Sequence, residues 1–538
     1  MKKKSRILFS LIAAGALSLS VLPLSACSDK NDQLILRVSS WEEYIDLGDW
    51  DDDELIGIDN EFDEQSGGVI GVNSMVDDFT EWFNGGNHGF DVKVEYSTFG
   101  TNEDLYNRLN LGDKYDLVCP SDYMLMQLIK EEKAEKFSES FHDATIETNY
   151  FARYVSPYID GVFSDFGWKD YAACYMWGTT GIIYNPELAS AEDVSSWSIL
   201  KNADYSRKIT IKDNVRDSYF PALGILNADE LLSEGMTDER RSELLNDTDD
   251  QTIAAAQEIL KDIKENVYSF ETDSGKADMI TGKVAANYQW SGDGVYILDE
   301  AEADENNPVE LWYSVPDECT NLWFDGWVML RDGIDGDERK KTAAEAFVNF
   351  VSRPDNAIRN MNYIGYTSAI AGDMVFDYLD WNYGAVFAPD DEYFDDELEE
   401  VYAYDLSYFF GDGYSLYIDA SQIELDTEVL NASPAKLGEE YGNGKNYLVY
   451  ENAEKISRGR QVFAQYPPQS VIARSVIMLD FGDRLADINQ MWINVRCLDV
   501  KDFNPAVVWT VVALVLAGAV AIVLYKFRYR IFYRSKSK

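Results

Sequence analysis

Asp91-Val92-Lys93-Val94-Glu95-Tyr96, the segment Asn102 to Leu111, and Tyr115-Asp116-Leu117-Val118-Cys119 decide the fold class. The first alternates apolar and polar residues with the period of two that a half-buried strand requires. The second spaces its apolar residues as a helix does, with Thr101 or Asn102 placed to cap it. The third is a short apolar run that stops at Pro120-Ser121, a turn signal. Strand, helix and strand in close succession predict an α/β layer fold.

The same alternation extends both ways. Leu34-Ile35-Leu36-Arg37-Val38 predicts a first strand, and Met75 to Phe83 a helix. Residues 48 to 75 between them are acidic, Gly-containing and patternless, which reads as a loop insertion. Further strands are predicted at Ile182-Ile183-Tyr184, Lys208-Ile209-Thr210-Ile211 and Ala285-Ala286-Asn287-Tyr288, and helices at Ile253 to Ile263 and Thr342 to Val351. With 538 residues the chain exceeds what one hydrophobic core usually spans, so two core-bearing lobes are predicted. Residues 376 to 450 are rich in Asp, Glu and Tyr and read as an acidic insertion. Its run Asp390 to Glu397 lacks the alternating ligands and central Gly of a calcium loop, and a solvated charge run is favoured.

Both ends read as membrane segments. Lys2, Lys3, Lys4 and Arg6 precede an apolar stretch from Ile7 to Val21, the pattern of an export signal over residues 1–27. Leu24-Ser25-Ala26-Cys27 then resembles the lipobox of bacterial lipoproteins, which implies lipidation at Cys27. Ala506 to Tyr525 is uncharged and as a helix would span ~30 Å, enough for a bilayer core. The basic tail 526–538 after it predicts a cytoplasmic end, leaving residues 28 to about 504 outside the cell membrane.

A formal net charge of −50 argues against nucleic acid as a partner and favours cationic ligands over anionic ones. Most of that charge reads as a solvated surface. The five cysteines show neither a CxxC pair nor a disulfide framework. The two histidines, His88 and His142, sit in no recognisable catalytic motif, so metal, triad and dyad chemistries are disfavoured. No metal site and no cofactor is implied.

Three aromatic–carboxylate clusters point instead to a ligand class: Trp41-Glu42-Glu43-Tyr44, Trp290-Ser291-Gly292-Asp293 and Trp323-Phe324-Asp325. An indole face attracts a cation and packs on its methylenes, and a carboxylate accepts its N–H donors. An organic cation with an aliphatic body satisfies both. The clusters follow predicted strands, as do Ser121, Tyr123 and the segment Asp213-Asn214-Val215-Arg216-Asp217. In open α/β sheets, ligands bind beyond the carboxyl ends of strands.

In order and spacing these segments resemble the extracytoplasmic spermidine/putrescine-binding proteins of ABC importers. The resembling blocks are Ser40 to Ile45, Val94 to Phe99, Tyr115 to Tyr123, Tyr175 to Gly181, Asp213 to Asp217, Trp290 to Asp293, Trp323 to Asp325 and Ile364-Gly365-Tyr366. The likeness covers about residues 34 to 375 and returns faintly at Asp480-Phe481-Gly482-Asp483. It implies a two-lobed periplasmic-binding-protein fold that closes on a polyamine by a hinge. Lobe I would be 34–178 with 324–371, and lobe II 179–323 with 372–500, the chain crossing near Gly178, Trp323 and Ala371. Carried over by position, Trp41, Tyr44, Tyr123, Trp290, Trp323 and Tyr366 would form an aromatic box. Glu43, Asp217, Asp293 and Asp325 would read ammonium groups, with Glu42 and Ser121 as polar contacts. The implied partners are the polyamine, an ABC permease and an ATPase. Two departures stand out: the family's first carboxylate in the Asp213–Asp217 segment falls on Asn214, with Asp213 beside it, and a C-terminal glutamine falls near Met478.

Each position also has a bland reading. Asp217 suits a helix N-cap and Asp293 a turn. In an extended segment only one of Glu42 and Glu43 would face a site, and Glu43 is favoured. Asp325, in an apolar stretch between Trp323 and Trp327, is the carboxylate least compatible with being unpaired. At this level a carboxylate-dependent exported glycoside hydrolase, using a pair such as Asp293 and Asp325, stays open as an alternative. So does a membrane-tethered amine sensor.

Overall fold

The computed structural model describes residues 33–63, 65–271, 274–303, 309–383, 401–412, 414–419, 446–449 and 461–497. The export signal with Cys27, the run Asp390 to Glu397, the apolar stretch 506–525 and the basic tail lie outside the described residues. Among the described residues no helix is long and apolar enough to cross a membrane.

In chain order the main strands are β1 (Leu34–Trp41), β2 (Val92–Phe99), β3 (Leu117–Val118), β4 (Ala134–Glu135), β5 (Ala172–Tyr184), β6 (Ile209–Lys212), β7 (Ser269–Glu271), β8 (Ala286–Trp290), β9 (Trp312–Ser314) and β10 (Thr320–Leu330). They join in the order β2-β1-β3-β10-β5-β8-β6-β7. β1 pairs in parallel with β2 and β3, and β6 pairs in parallel with β7 and β8. β5 and β10 run antiparallel to one another through the middle. The expected strand–helix–strand unit is present: the helix Asn102–Leu111 lies between β2 and β3. Its Thr101 side chain accepts from the Asp104 N–H, and Gly112 ends it at φ 103°, a left-handed position that favours glycine.

The two long strands link two cores. β5 pairs with β10 from Ala172 to Thr179 and with β8 from Thr180 to Tyr184. β10 begins beside β15 (Ser475–Val476) and then joins β5 and β3. Trp323 and Gly178 are direct cross-strand partners at the change-over. On one side, Leu36, Val38, Phe79, Phe83, Leu117, Trp177, Trp327 and Phe347 belong to a first apolar cluster. On the other, Ile182, Trp197, Ile211, Phe220, Leu260 and Tyr288 belong to a second.

The first cluster also holds Val375, Phe376, Leu379, Leu406, Phe409, Phe410 and Tyr414. By packing, these residues sit with the first core, although the third crossing was expected near Ala371. Further on, Tyr466 and Ile477 still belong to the first cluster, Val476, Ile488 and Val495 join the second, and Phe463 and Val471 pack with Ile183 and Val295 in a smaller third one. The described part of the acidic insertion includes a small sheet in the order β12-β13-β14 (Val401–Asp405, Ser415–Asp419 and Asn446–Val449).

Between β1 and the helix Met75–Gly85, the loop insertion is stapled by charge. Asp46 is fully buried, and its Oδ2 accepts from Arg359 Nη2 at 2.6 Å and Nε at 2.9 Å. Arg359 Nη1 also donates to Asp78 Oδ2 at 2.7 Å. A buried pair this well hydrogen-bonded repays its desolvation, and the loop leading away from Tyr44 is fixed by it.

Candidate functional site

Strand ends assemble the site, as the sheet geometry requires. β1 ends at Trp41, whose ring lies 5.0 Å from Phe99. The chain then turns sharply, with Glu43 at φ 53°. This corrects the extended segment expected over Glu42 and Glu43: both side chains are exposed, and neither is sorted inward by strand alternation. The turn delivers Tyr44 to the interior instead. The Tyr44 hydroxyl donates to Asp325 Oδ2 at 2.6 Å. Its ring makes edge contacts with Tyr366 at 5.3 Å and Tyr175 at 5.6 Å.

Asp325 lies on β10 opposite Ser121, with which it forms a bridge between strands. It is 6 % exposed, and its Oδ1 is buried without a hydrogen-bond partner. Burial pushes its carboxyl up to about 6, with the Ser121 and Tyr44 hydroxyls pulling the other way. Asp122, next to Ser121, is pushed up to about 7 by burial and by the Asp325 charge. Its two oxygens accept the backbone N–H groups of Tyr123 and Phe324. Trp323 packs against Tyr366 at 5.6 Å, and its Nε1 donates to the Thr179 carbonyl at 3.1 Å. Tyr366 follows Gly365, a left-handed helix end at φ 77°. Tyr366 lies so close over Gly292 that a Cβ there would meet its ring carbons at 2.2 Å.

The second core adds another group. Asn214 caps the helix Val215–Leu226, its side chain accepting from the Arg216 and Asp217 N–H groups. Asn214 therefore takes the capping role suggested for Asp217, and Asp217 lies in the first turn. Asp217 Oδ1 accepts from Trp290 Nε1 at 3.4 Å, while Oδ2 is buried without a partner. Burial pushes Asp217 up to about 6 despite Lys212, Trp290 and Arg216. Asp213, the neighbour that could have replaced a family carboxylate, pairs with Arg496 at 2.8 Å.

Asp293 is in the first turn of the helix Ser291–Ala303, not in a turn between elements. Its Oδ1 meets Lys276 Nζ at 2.8 Å and its Oδ2 meets Lys212 Nζ at 3.5 Å. Burial alone would raise this carboxyl, but Lys276 and Lys212 hold it below the usual carboxylate range. Lys212 Nζ also lies 3.8 Å from the Trp290 ring centroid. The Arg216 guanidinium lies 3.7 Å over Tyr123, which packs on the first core, and 4.1 Å over Phe481 of the second. Tyr123 in turn donates to Glu103 at 3.2 Å. Met478 is packed in the second core.

The structure thus brings Tyr44, Ser121, Trp323, Asp325 and Tyr366 into one group, and Asp217, Trp290 and Asp293 into a second, with Tyr123 bridged to it by Arg216. Glu42 and Glu43 stay at the surface. Lys212, Lys276, Arg216 and Asp122 were missed. Arg216 stood inside the quoted segment Asp213–Asp217 and Lys212 immediately before it. A pattern of carboxylates and aromatics gives no signal for Lys212 at the end of β6 or for Arg216 in the first turn of the helix after it.

Known proteins share this architecture. A solved ABC-transporter protein from Listeria monocytogenes is similar at a TM-score of 0.52 and 20% identity, over 86% of this chain and 98% of its own. A lipoprotein of Treponema pallidum matches at a TM-score of 0.50 and 15% identity, over 86% and 99%. These likenesses establish the two-lobed periplasmic-binding-protein fold. In sequence, the spermidine/putrescine-binding periplasmic protein of Salmonella typhimurium is 26% identical over 372 residues, 68% of this chain and 84% of that protein. The putrescine-binding periplasmic protein PotF of Escherichia coli is 24% identical over 289 residues, 52% of this chain and 71% of its own. The segment 74–372 matches the family described as bacterial extracellular solute-binding protein, and it includes both site groups apart from the β1 turn. That match spans more than half of the 538 residues, and the chain belongs to the bacterial extracellular solute-binding protein family.

Proposed function

We propose that this chain is the extracytoplasmic substrate-binding component of an ABC-type importer for a polyamine, spermidine or putrescine, held between two lobes by aromatic and carboxylate side chains. One observation carries this: Asp325, a buried carboxylate with an open oxygen, walled by Tyr44, Trp323 and Tyr366. An ammonium would meet that oxygen and relieve a charge that is otherwise costly to bury. The names of the Salmonella typhimurium and Escherichia coli relatives support the ligand class. A cation over an indole contributes ~0.5–2 kcal/mol, and a charge-assisted hydrogen bond ~1.5–3 kcal/mol. A few of each, less desolvation and ordering, reach the roughly −8 kcal/mol of a micromolar binder.

The lobes proposed are 34–178 with 324–371, and 179–323 with the C-terminal segment, hinged where β5 and β10 change partners. A permease and an ATPase encoded elsewhere would receive the ligand. Cys27 lipidation, or a helix over 506–525, would tether the protein to the membrane, and mass analysis of the mature N-terminus separates the two. The hydrolase alternative is disfavoured by family membership and by Asp293, whose oxygens both face lysine ammonium groups.

Calorimetric titration of the full chain in detergent with spermidine, putrescine and an oligosaccharide tests this function. Saturable binding of an amine and none of the sugar is expected; absence of amine binding would overturn it. Uptake of labelled amine by cells lacking the gene distinguishes transport from sensing: loss of uptake means transport.

A further inference from the structure

Among the three aromatic–carboxylate clusters, one is already filled by the chain itself. Asp293 is 4 % exposed and both its oxygens face ammonium groups, Lys276 on Oδ1 and Lys212 on Oδ2. The same Lys212 ammonium, 1 % exposed, lies on the Trp290 ring. A ligand cation entering here would find the indole face and the carboxylate both engaged. Tyr123 is covered in the same way by Arg216, which also donates to the Leu479 carbonyl at 2.9 Å.

Among the described residues two buried carboxylate oxygens remain open. Asp325 Oδ1 and Asp217 Oδ2 each belong to a residue that is 6 % exposed, and each is buried without a hydrogen-bond partner. Asp325 belongs to β10 in the first lobe, and Asp217 to the helix after β6 in the second. Contacts along the chain bring them near one another: Asp122 accepts from the N–H of Phe324, the neighbour of Asp325, and Tyr123, the neighbour of Asp122, lies 3.7 Å under the guanidinium of Arg216, the neighbour of Asp217. The remaining carboxylates are poorer partners. Both Asp122 oxygens accept backbone N–H groups. Glu43 and Glu103 are exposed, where water screens them.

Resting on the amine reading above, we propose that the site is built for a ligand with two cationic ends, a short diamine, and discriminates against a triamine. One ammonium would meet Asp325 and the other Asp217, so that each of these two buried carboxylate oxygens gains a donor. A third ammonium would be left beside Lys212 and Arg216 with no buried carboxylate to neutralise it. Lys212 and Lys276 thereby set specificity by occupying what would be a third cation subsite.

Calorimetry on the full chain with 1,4-diaminobutane and spermidine tests this, alongside Lys212→Met and Lys276→Met. The diamine is expected to bind the wild type at least tenfold more tightly. Freeing Asp293 should narrow that ratio, strongly in Lys212→Met and in the same direction in Lys276→Met. Should Lys212→Met fail to fold, the quarter-exposed Lys276 provides the deciding variant. Spermidine binding as tightly as the diamine, or a ratio unmoved in the folded variants, overturns the proposal while leaving an amine binder. Failure of both amines to bind overturns the amine reading itself.

Discussion

Asp325 is held charged-ready but without a charge partner on Oδ1, next to a second buried acid, Asp122. Replacing it with Asn keeps the shape and removes the charge. Asp325→Asn should weaken amine binding about 10–100-fold, the range of one charge-assisted hydrogen bond. Its ligand-free melting temperature should stay level or rise, and calorimetry with a melting curve reads both. The pH dependence follows from the same burial. Asp122, Asp217 and Asp325 all have folded-state pKa values raised to about 6 or 7. Their contribution to stability is therefore full below the unfolded value of about 4 and is lost as pH rises through 6 to 7. The ligand-free melting temperature should fall across that window, and fall less in Asp217→Asn and Asp325→Asn. Stabilisation by a bound amine should grow over the same window, because the cation favours the ionised carboxylates. At this scale the sequence exposed the acids and rings through their clustering. It could not expose that Lys212 and Lys276 neutralise Asp293, because Lys212 lies 81 residues away on β6 and Lys276 on the separate helix Ser274–Ile280, so only folding brings the three together.

Elements were legible where local pattern and tertiary demand agree. β1, β2 and the helices at 75–85, 102–111, 250–266 and 338–351 fall where periodicity put them, each with one face in a core. The Asp325 stretch of β10 gave no such period, because every residue from Thr320 to Leu330 is buried. A strand covered on both faces has no alternation to read. Two element-level predictions follow from close packing and buried charge. In Gly292→Ala a Cβ must displace the Tyr366 ring, so amine affinity should fall at least tenfold with a changed tryptophan emission on binding. Arg359→Met leaves Asp46 buried without its cation, and denaturant melts should show a loss of about 3–5 kcal/mol.

For the whole molecule, length alone called for two cores, and the switch of partners along β5 and β10 shows how one sheet system serves both. The turn at Glu43 was not legible, because a left-handed residue that is not glycine leaves no sequence signal. The packing of Met374 to Leu379 and of Leu406, Phe409, Phe410 and Tyr414 on the first core was hidden by an acidic, tyrosine-rich composition that reads as insertion. The net charge of −50 draws cations toward the protein at low salt, so association rates with an amine should drop steeply as ionic strength rises, as stopped-flow fluorescence would record.

A crystal structure of the protein grown with 1,4-diaminobutane shows directly whether an amine sits between the lobes on Asp325. An ammonium nitrogen is expected within hydrogen-bond distance of Asp325 Oδ1, bounded by Tyr44, Trp323 and Tyr366. A saturated crystal with the amine bound elsewhere, and Asp325 facing no cation, would contradict it.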